Sequence, residues 1–446
     1  MNILIQNAAF LVRDPDTIEQ SCDLLIKGSR IEAVGKNLPV PENTDIVDAT
    51  GCVLIPGLIN AHTHLYQNFL KGVARDETLI PWINSLLFPS VAVIREQSSA
   101  GNERPAYLWT AAASIEMIQG GVTCCVNMDV TSDESMTAWR DLGMRGVCAY
   151  TLTNTWVPAE LRGEEMKTRQ KVTEFIRRWH QPGGLLQVSP APSTPYLCDD
   201  DMLQWIRDLA KDMGLGIQIH VSEIASEVQD ALRDWGKRPF ERLNDLGLLS
   251  PNLSAVHCVH ISPQEIALLA DAGVKVVHCP KSNMKLADGV MPILPMKQAG
   301  ISISVATDGC GSNDLLDMWE EMRAGVMLAR VTNNDAAALT AGDVLRMATI
   351  EPAKVCGIEA GQLEPGLLAD LAVVELNGAH IRPLYADQLI QTLVFCGKAA
   401  DVRDTIINGE FVMKNRRITK VDEQKFLAEA DQVGAQLYNR RSQFHY

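Results

Sequence analysis

The stretch VLIPGLINAHTH, residues 53–64, determines how this chain is interpreted. It is an apolar run that ends in two histidines separated by one residue, His62 and His64. Side chains two residues apart in a β-strand point to the same face, so we expect the two imidazoles to converge on one spot. The alternative is an ordinary strand with two hydrogen-bonded histidines. The residues at the other predicted strand ends decide between this interpretation and a metal site.

Length, composition and charge limit the class of protein. A chain of 446 residues with 46% hydrophobic and 21% charged residues indicates a globular protein with one large barrel-like domain and a smaller one, or two to three ordinary domains. The formal charge of −15 argues against a nucleic-acid partner. We find no signal peptide and no apolar run of membrane-spanning length, so we expect a cytoplasmic protein with no membrane partner.

In the middle of the chain, apolar β-rich runs alternate with amphipathic stretches. Runs this apolar are buried on both faces, and the long spacers between them indicate helical crossovers between parallel strands. We therefore predict an α/β fold, a (β/α)8 TIM-like barrel, with its catalytic residues at the C-terminal ends of the strands. The eight strands are predicted to end near His64, Asp129, Asn154, Ser193, Glu223, His260, Asn283 and Asp308.

The two chain ends resemble each other in pattern. Short apolar runs separated by turn residues occupy residues 2–48, and similar runs follow at 369–375 and 404–413, the second with an Asn408-Gly409 hairpin turn. We expect these segments to form antiparallel strands of one small β-sandwich built from both chain ends, with a closing helix from about 423 to 438. The predicted division is 1–56 for the first part of the sandwich, 57–360 for the barrel, and 361–446 for the second part and the helix.

Polar residues that can bind a metal lie where the predicted strands end. Strand five ends in IQIHVSE with His220 and Glu223, strand six carries His257, and strand eight ends at Asp308. Only nine histidines occur in the whole chain, so their concentration at strand ends favours a metal site. Histidine and carboxylate ligands together suit zinc or a similar divalent ion.

Five motifs, PGLINAHTH, HVSE, AVHCVH, HCPKSNMKLADG and ATDGCGSNDLLDMWEEMR, resemble those of the amidohydrolase superfamily. Within it they are similar to the aminohydrolase branch of methylthioadenosine/S-adenosylhomocysteine deaminases, atrazine chlorohydrolase and melamine deaminase. The resemblance implies that Glu223 is a proton shuttle and that His257 and Asp308 are catalytic. It further implies four metal ligands, which are His62, His64, His220 and Asp308. Strand four lacks the lysine that bridges two metals in binuclear members, so we expect one divalent ion, zinc, with iron as the alternative.

The implied reaction is hydrolytic deamination of an N-heteroaromatic ring of the pyrimidine, pterin, purine or s-triazine type, with release of ammonia. The protein would then be a hydrolase of carbon–nitrogen bonds other than peptide bonds, and we expect a homo-oligomer, a dimer or a tetramer. Three alternatives remain open. They are an s-triazine chlorohydrolase or alkylaminohydrolase, a methylthioadenosine/S-adenosylhomocysteine deaminase, and a catalytically silent, metal-stabilised scaffold.

Substrate contacts are expected from Trp82, Ser193 and Glu223. Trp82 keeps the spacing of the nucleoside deaminases after the HxH pair, but Val91 stands where those enzymes carry a glutamate that holds the ribose hydroxyls. Ser193 replaces a histidine that faces the nucleoside, and Tyr150 lies near the position of an arginine for the homocysteine carboxylate. These departures favour a smaller or less polar substrate than a nucleoside.

Overall fold

The computed structural model describes residues 2–73, 76–129, 133–158, 161–162 and 165–446. The strands are β1 (Asn2–Asp14), β2 (Thr17–Lys27), β3 (Arg30–Gly35), β4 (Thr44–Asp48), β5 (Cys52–Pro56), β6 (Leu58–Thr63), β7 (Val122–Asp129), β8 (Arg145–Leu152), β9 (Leu186–Pro192), β10 (Ile217–Val221), β11 (Leu253–His257), β12 (Lys275–His278), β13 (Ile303–Val305), β14 (Leu371–Glu375), β15 (Val402–Ile407), β16 (Glu410–Lys414) and β17 (Arg417–Ile418). The α-helices are α1 (Leu79–Trp82), α2 (Phe88–Ser99), α3 (Arg104–Gln119), α4 (Asp133–Leu142), α5 (Glu165–Trp179), α6 (Asp200–Met213), α7 (Ala225–Trp235), α8 (Pro239–Asp245), α9 (Pro263–Ala272), α10 (Pro280–Lys285), α11 (Ile293–Gln298), α12 (Cys310–Asn313), α13 (Met318–Asn333), α14 (Ala341–Met347), α15 (Ile350–Cys356), α16 (Leu389–Cys396) and α17 (Glu423–Arg441).

Eight parallel strands form the barrel in two halves, β6-β7-β8-β9 and β10-β11-β12-β13. Backbone hydrogen bonds join the halves where the strands end. The His220 N–H donates to the Ser193 carbonyl at 3.0 Å, and the Asp308 N–H donates to the His62 carbonyl at 3.1 Å. The predicted (β/α)8 barrel is confirmed, and the two bonds that close it belong to the strand ends that carry the candidate ligands.

Three barrel strands end three or more residues earlier than the sequence predicts, among them strand eight, β13, which ends at Val305 instead of at Asp308. Strand six, β11, ends at His257 because His257 and Cys258 adopt positive φ angles of 73° and 50°, which a strand cannot continue. Strand seven, β12, ends at His278 instead of near Asn283, because α10 begins at Pro280. Proline fits the first turn of a helix, where its missing N–H leaves no hydrogen bond unmade.

The two chain ends together build one nine-stranded sheet in the order β17-β16-β15-β14-β5-β1-β2-β3, with β4 paired to β1. The antiparallel pairing of β5 with β14 joins the N-terminal strands to the C-terminal ones. The expectation of antiparallel strands throughout is wrong, because β4 and β5 both run parallel to β1. An apolar core separate from that of the barrel packs within this sheet. The predicted division of the chain at residues 56 and 360 stays a prediction.

The turn and the last helix of the C-terminal part lie where the sequence predicts them. The hairpin between β15 and β16 turns at Asn408 and Gly409, whose φ angles of 55° and 75° are those of a type I′ turn, as predicted. Helix α17 begins where it was predicted and extends three residues further, to Arg441. Its first turn is capped by Asp422, whose side chain accepts a hydrogen bond from the Lys425 N–H.

A buried ion pair connects the barrel to the terminal sheet. The Arg145 Nε of β8 lies 2.6 Å from Asp370 Oδ2, next to β14, and the two side chains are 0% and 1% exposed. Asp370 Oδ1 also accepts a hydrogen bond of 2.6 Å from the Asn408 N–H. The carboxylate therefore links one barrel strand to the turn between two strands of the sheet.

Within the described part of the chain, no helix combines the length with the apolar character that a membrane span requires.

Candidate metal centre and substrate pocket

Three imidazoles meet at the C-terminal end of the barrel. His62 and His64 come from the end of β6 and His220 from β10, and one ring nitrogen of each lies within 4.8 Å of the others. The Nε2 atoms of His62 and His220 are 3.1 Å apart. The HxH pair and strand five thus supply the convergence that the sequence predicts.

Each of these imidazoles is held by an oxygen on its other side. His62 Nδ1 lies 2.8 Å from Gln218 Oε1, His220 Nδ1 lies 2.7 Å from the Ser193 carbonyl, and His64 Nδ1 contacts the Met128 carbonyl. An oxygen acceptor requires Nδ1 to carry the hydrogen, so Nε2 of each ring is the unprotonated atom. Burial lowers the pKa of His64 to about 4, and lowers that of His220 as well, which keeps these two rings neutral.

Asp308 completes the centre as a fixed carboxylate. Its Oδ1 lies 3.4 Å from His62 Nε2 and 3.3 Å from His64 Nε2. Its Oδ2 accepts hydrogen bonds from the hydroxyls of Ser282 at 2.6 Å and Ser312 at 2.8 Å. Three nitrogen lone pairs and a carboxylate oxygen facing one another repel unless a cation lies between them, so this donor set fits a divalent metal ion such as zinc.

A fourth imidazole beside the centre has the opposite tautomer. Asn283 Nδ2 donates to His257 Nδ1 at 3.0 Å and to Asp288 Oδ2 at 3.3 Å, which fixes the orientation of the amide. His257 then carries its hydrogen on Nε2, which lies 3.5 Å from Glu223 Oε1. Burial lowers the pKa of His257 to about 3, so the ring is neutral and offers an N–H, not a lone pair, to the site.

Glu223 is a buried acid. It lies two residues beyond β10 and is 8% exposed, and its backbone N–H donates to Glu227 Oε2 at 2.9 Å. Burial, followed by the negative charges of Asp288 and Asp308, raises the pKa of Glu223 well above its usual value. Burial therefore favours the protonated form of this carboxyl, which can donate a proton to a substrate.

A cavity of about 200 Å³ opens above the centre and contains His64, His220, Glu223, His257 and Asp308 in its wall. Its outer wall is mainly apolar, formed by Leu87, Phe88, Trp156, Leu161, Leu197 and Leu286. One side is a continuous helical segment in which a π-helical turn, Ile83–Leu87, links α1 to α2. Turns of this kind are frequent at functional sites.

The three predicted substrate contacts all line this cavity. Trp82 is 4% exposed, and its Nε1 has no hydrogen-bond partner within the described residues. Ser193 lines the cavity and also supports His220 through its carbonyl. Val91, which stands where nucleoside deaminases are expected to carry a glutamate, also lines the cavity. Tyr150 is not among the lining residues and packs its ring against Phe175.

Sequence reasoning missed several residues that support the site. Gln218 lies two residues before His220 on the same strand, so the same alternation that placed the two histidines could have identified it. Ser282 and Ser312 lie within quoted motifs, but nothing in the motifs indicates that both bind Asp308. Arg95 lines the outer cavity, and burial lowers the pKa of its guanidinium. His260 faces away from the centre, with Nε2 2.7 Å from the Asp288 carbonyl.

Comparison with known proteins identifies relatives along nearly the whole chain. The model of the amidohydrolase family matches residues 53–412. A 5-methylthioadenosine/S-adenosylhomocysteine deaminase of Pyrococcus furiosus is 33% identical, covering 95% of this chain and 98% of its own length. A 5′-deoxyadenosine deaminase of Methanosarcina mazei is 33% identical, covering 98% of this chain and 99% of its own.

Solved structures agree with the fold. An adenosine deaminase from Xanthomonas campestris with bound zinc superposes with a TM-score of 0.89 at 29% identity, covering 98% of both chains. An atrazine chlorohydrolase from Arthrobacter aurescens, complexed with zinc, gives a TM-score of 0.89 at 24% identity over 97% of this chain and 100% of its own. The second likeness shows the fold alone.

These matches confirm the resemblance and the hydrolase class predicted from the sequence. The family model spans the barrel strands and all the converging residues, from His62 to Asp308. The chain belongs to the amidohydrolase family.

Proposed function

We propose that this protein is a metal-dependent aminohydrolase that deaminates an N-heteroaromatic ring and releases ammonia. In this proposal one divalent ion, zinc with iron as the alternative, is held by His62, His64, His220 and Asp308. This proposal rests on the difference in tautomer between His257 and the three converging histidines. Three imidazoles have their Nδ1 on oxygens and turn Nε2 to the centre, whereas His257 accepts at Nδ1 and offers an N–H.

A zinc ion in this site would activate a water molecule and stabilise negative charge on the oxygen added to the ring. The chain's own groups handle the protons. Asp308 Oδ1 is placed to take a proton from the attacking water, because its other oxygen is occupied by Ser282 and Ser312. The protonated Glu223 carboxyl donates to the ring nitrogen, and the departing amine takes the proton that Asp308 received from the water and leaves as ammonia. The His257 Nε2–H stabilises the oxygen that becomes the ring carbonyl.

A second candidate is deamination of an adenosine-type nucleoside, which the names of the relatives favour. Two of them, at 33% identity over 95% and 98% of this chain, are a methylthioadenosine/S-adenosylhomocysteine deaminase and a 5′-deoxyadenosine deaminase. Against it, Val91 places an aliphatic side chain in the cavity wall, and the outer wall is mainly apolar. We therefore favour a free or alkyl-substituted ring. The expected dimer or tetramer and the cytoplasmic location stay predictions.

Ammonia release from a panel of aminated heterocycles tests the proposal. The panel holds pyrimidines, pterins, s-triazines, methylthioadenosine, S-adenosylhomocysteine and 5′-deoxyadenosine, together with carboxylated rings because Arg95 lines the outer cavity. We expect turnover of at least one ring by wild type, and loss of it in Glu223→Gln with metal content unchanged. Chloride needs no proton to leave, so a chlorinated triazine still turned over by Glu223→Gln would indicate the chlorohydrolase. A metal-loaded protein that hydrolyses no member would contradict the proposal and favour a silent scaffold.

A further inference from the structure

Asp288 is a buried carboxyl that the proposed reaction does not use. It lies in the loop between α10 and α11, is 6% exposed, and does not line the substrate cavity. Its Oδ2 accepts from Asn283 at 3.3 Å, whereas its Oδ1 is buried with no hydrogen-bond partner in the described part of the chain. Burying a carboxylate oxygen without a hydrogen bond costs free energy, so we expect a hydrogen-bond partner for this atom.

The group facing Asp288 is the carboxyl of Glu223, which lies within hydrogen-bond reach. Within the described residues, neither carboxyl has a lysine or arginine partner. The other titratable groups around the pair are Asp308, Glu227, the neutral His257, and His260, whose Nε2 lies 2.7 Å from the Asp288 backbone carbonyl. Two adjacent buried carboxyls with no cationic side chain between them resist ionising together, and one proton between them supplies the hydrogen bond that Oδ1 lacks.

We propose that Asp288 is a positioning residue for Glu223, and that the two buried carboxyls hold one proton between them in an O–H···O hydrogen bond. This inference rests on the proposed role of Glu223 as a proton donor. Asn283 orients Asp288 and the neighbouring imidazole, since its amide group donates to Asp288 and to His257. A single side chain thereby holds both the carboxyl partner of the proton donor and the ring that offers the N–H.

The charge of the pair also explains how the proton returns. When Glu223 gives its proton to the substrate, two negative carboxylates remain side by side in a buried site. That state is unfavourable, so before the next turnover the pair takes up the second proton of the water, which is released when the ring carbonyl forms. Burial raises the pKa of Asp288 to about 7, which is consistent with a carboxyl that shares a proton.

Asp288→Asn tests the proposal, with Glu321→Gln as the matched control. Glu321 is also a fully buried carboxyl held by an asparagine, but its partner is Asn313. Asp288→Asn removes the negative neighbour, so the pKa of Glu223 should fall. We expect the alkaline limb of the kcat/KM profile to move to lower pH by roughly one to three units in Asp288→Asn, about tenfold in rate per unit, and to stay in place in Glu321→Gln.

A second measurement does not depend on turnover. Infrared difference spectra of the metal-loaded protein should show a protonated carboxyl at neutral pH that Glu223→Gln removes and that titrates at lower pH in Asp288→Asn. A kcat/KM lowered equally at every pH, with the carboxyl titration unmoved, would overturn the proposal and leave Asp288 a structural residue. If no ring is hydrolysed, the proposed function fails, and the infrared titration still decides whether the two carboxyls share a proton.

Discussion

Replacing Gln218 by leucine should weaken metal binding without touching any proposed ligand. Gln218 is 2% exposed, and its Nε2 donates to the Ala61 carbonyl at 2.9 Å, which turns Oε1 toward His62 Nδ1 at 2.8 Å. In Gln218→Leu the Nδ1–H of His62 loses its acceptor in a fully buried site. The ring is then no longer held in the tautomer that points the Nε2 lone pair at the centre.

The expected size follows from that one contact. Leaving a buried donor unsatisfied costs about 1–3 kcal/mol, and loss of a group that orients a metal-binding histidine lowers metal affinity about 10–100-fold. The two estimates agree, because a tenfold change corresponds to about 1.4 kcal/mol. We therefore expect the Kd for zinc to rise by about 10–100-fold in Gln218→Leu.

Competition with a chromophoric chelator measures this Kd. Gln187→Leu is the matched control, because Gln187 is a buried glutamine of the neighbouring strand β9 whose Nε2 donates to the Cys356 carbonyl at 3.2 Å and contacts no imidazole. Both variants lose a buried hydrogen bond, but only Gln218→Leu should lose zinc. Equal zinc affinity in wild type and Gln218→Leu would refute the argument, and equal weakening in both variants would show a general loss of stability.

Three further outcomes are expected. Metal analysis of the active protein should give one divalent ion per chain, and chelation should abolish ammonia release until one equivalent of zinc is restored; two ions per active chain would contradict the single site. Small aminated rings should exceed methylthioadenosine in kcat/KM by about 100–10,000-fold, because without a carboxylate at Val91 the two ribose hydroxyls lose hydrogen bonds worth about 1.5–3 kcal/mol each, and Val91→Glu should narrow the gap. Faster turnover of methylthioadenosine by wild type would sink that argument. Asp370→Ala should lower the free energy of unfolding in urea by about 3–5 kcal/mol because it leaves the buried guanidinium of Arg145 without a carboxylate, whereas Asp16→Ala, in an exposed ion pair, should cost about 0–1 kcal/mol; similar losses in both would refute this.

The barrel and the histidine cluster were predictable because they depend on local patterns. Strands buried on both faces are continuous apolar runs, and residues two apart in a strand share a face, which is sufficient to bring His62 and His64 together. Strand ends were less predictable. The end of β11 at His257 depends on a left-handed backbone that no residue type announces, since His257 and Cys258 are not glycines.

The support around the site could not be predicted from the chain. Gln218 and His62 are far apart in sequence, as are Asp288 and Glu223, and only the closed barrel brings each pair into contact. The parallel pairing of β4 and β5 with β1 was missed for a similar reason. Short strands joined by turns suggest hairpins, but pairing across a longer connection is fixed by tertiary packing.

The pairing of β5 with β14 imposes an order on biosynthesis. Val53 pairs with Val374, so about 320 residues must be translated after β5 before its partner strand exists. At about 5–20 residues per second, this edge stays open for roughly 15–60 s on a ribosome. The central residues of this unpaired edge of β5 are all apolar, namely Val53, Leu54 and Ile55. Such an edge readily pairs with other chains. The N-terminal strands therefore need the rest of the nascent chain, or a chaperone, to protect them until the last strands emerge.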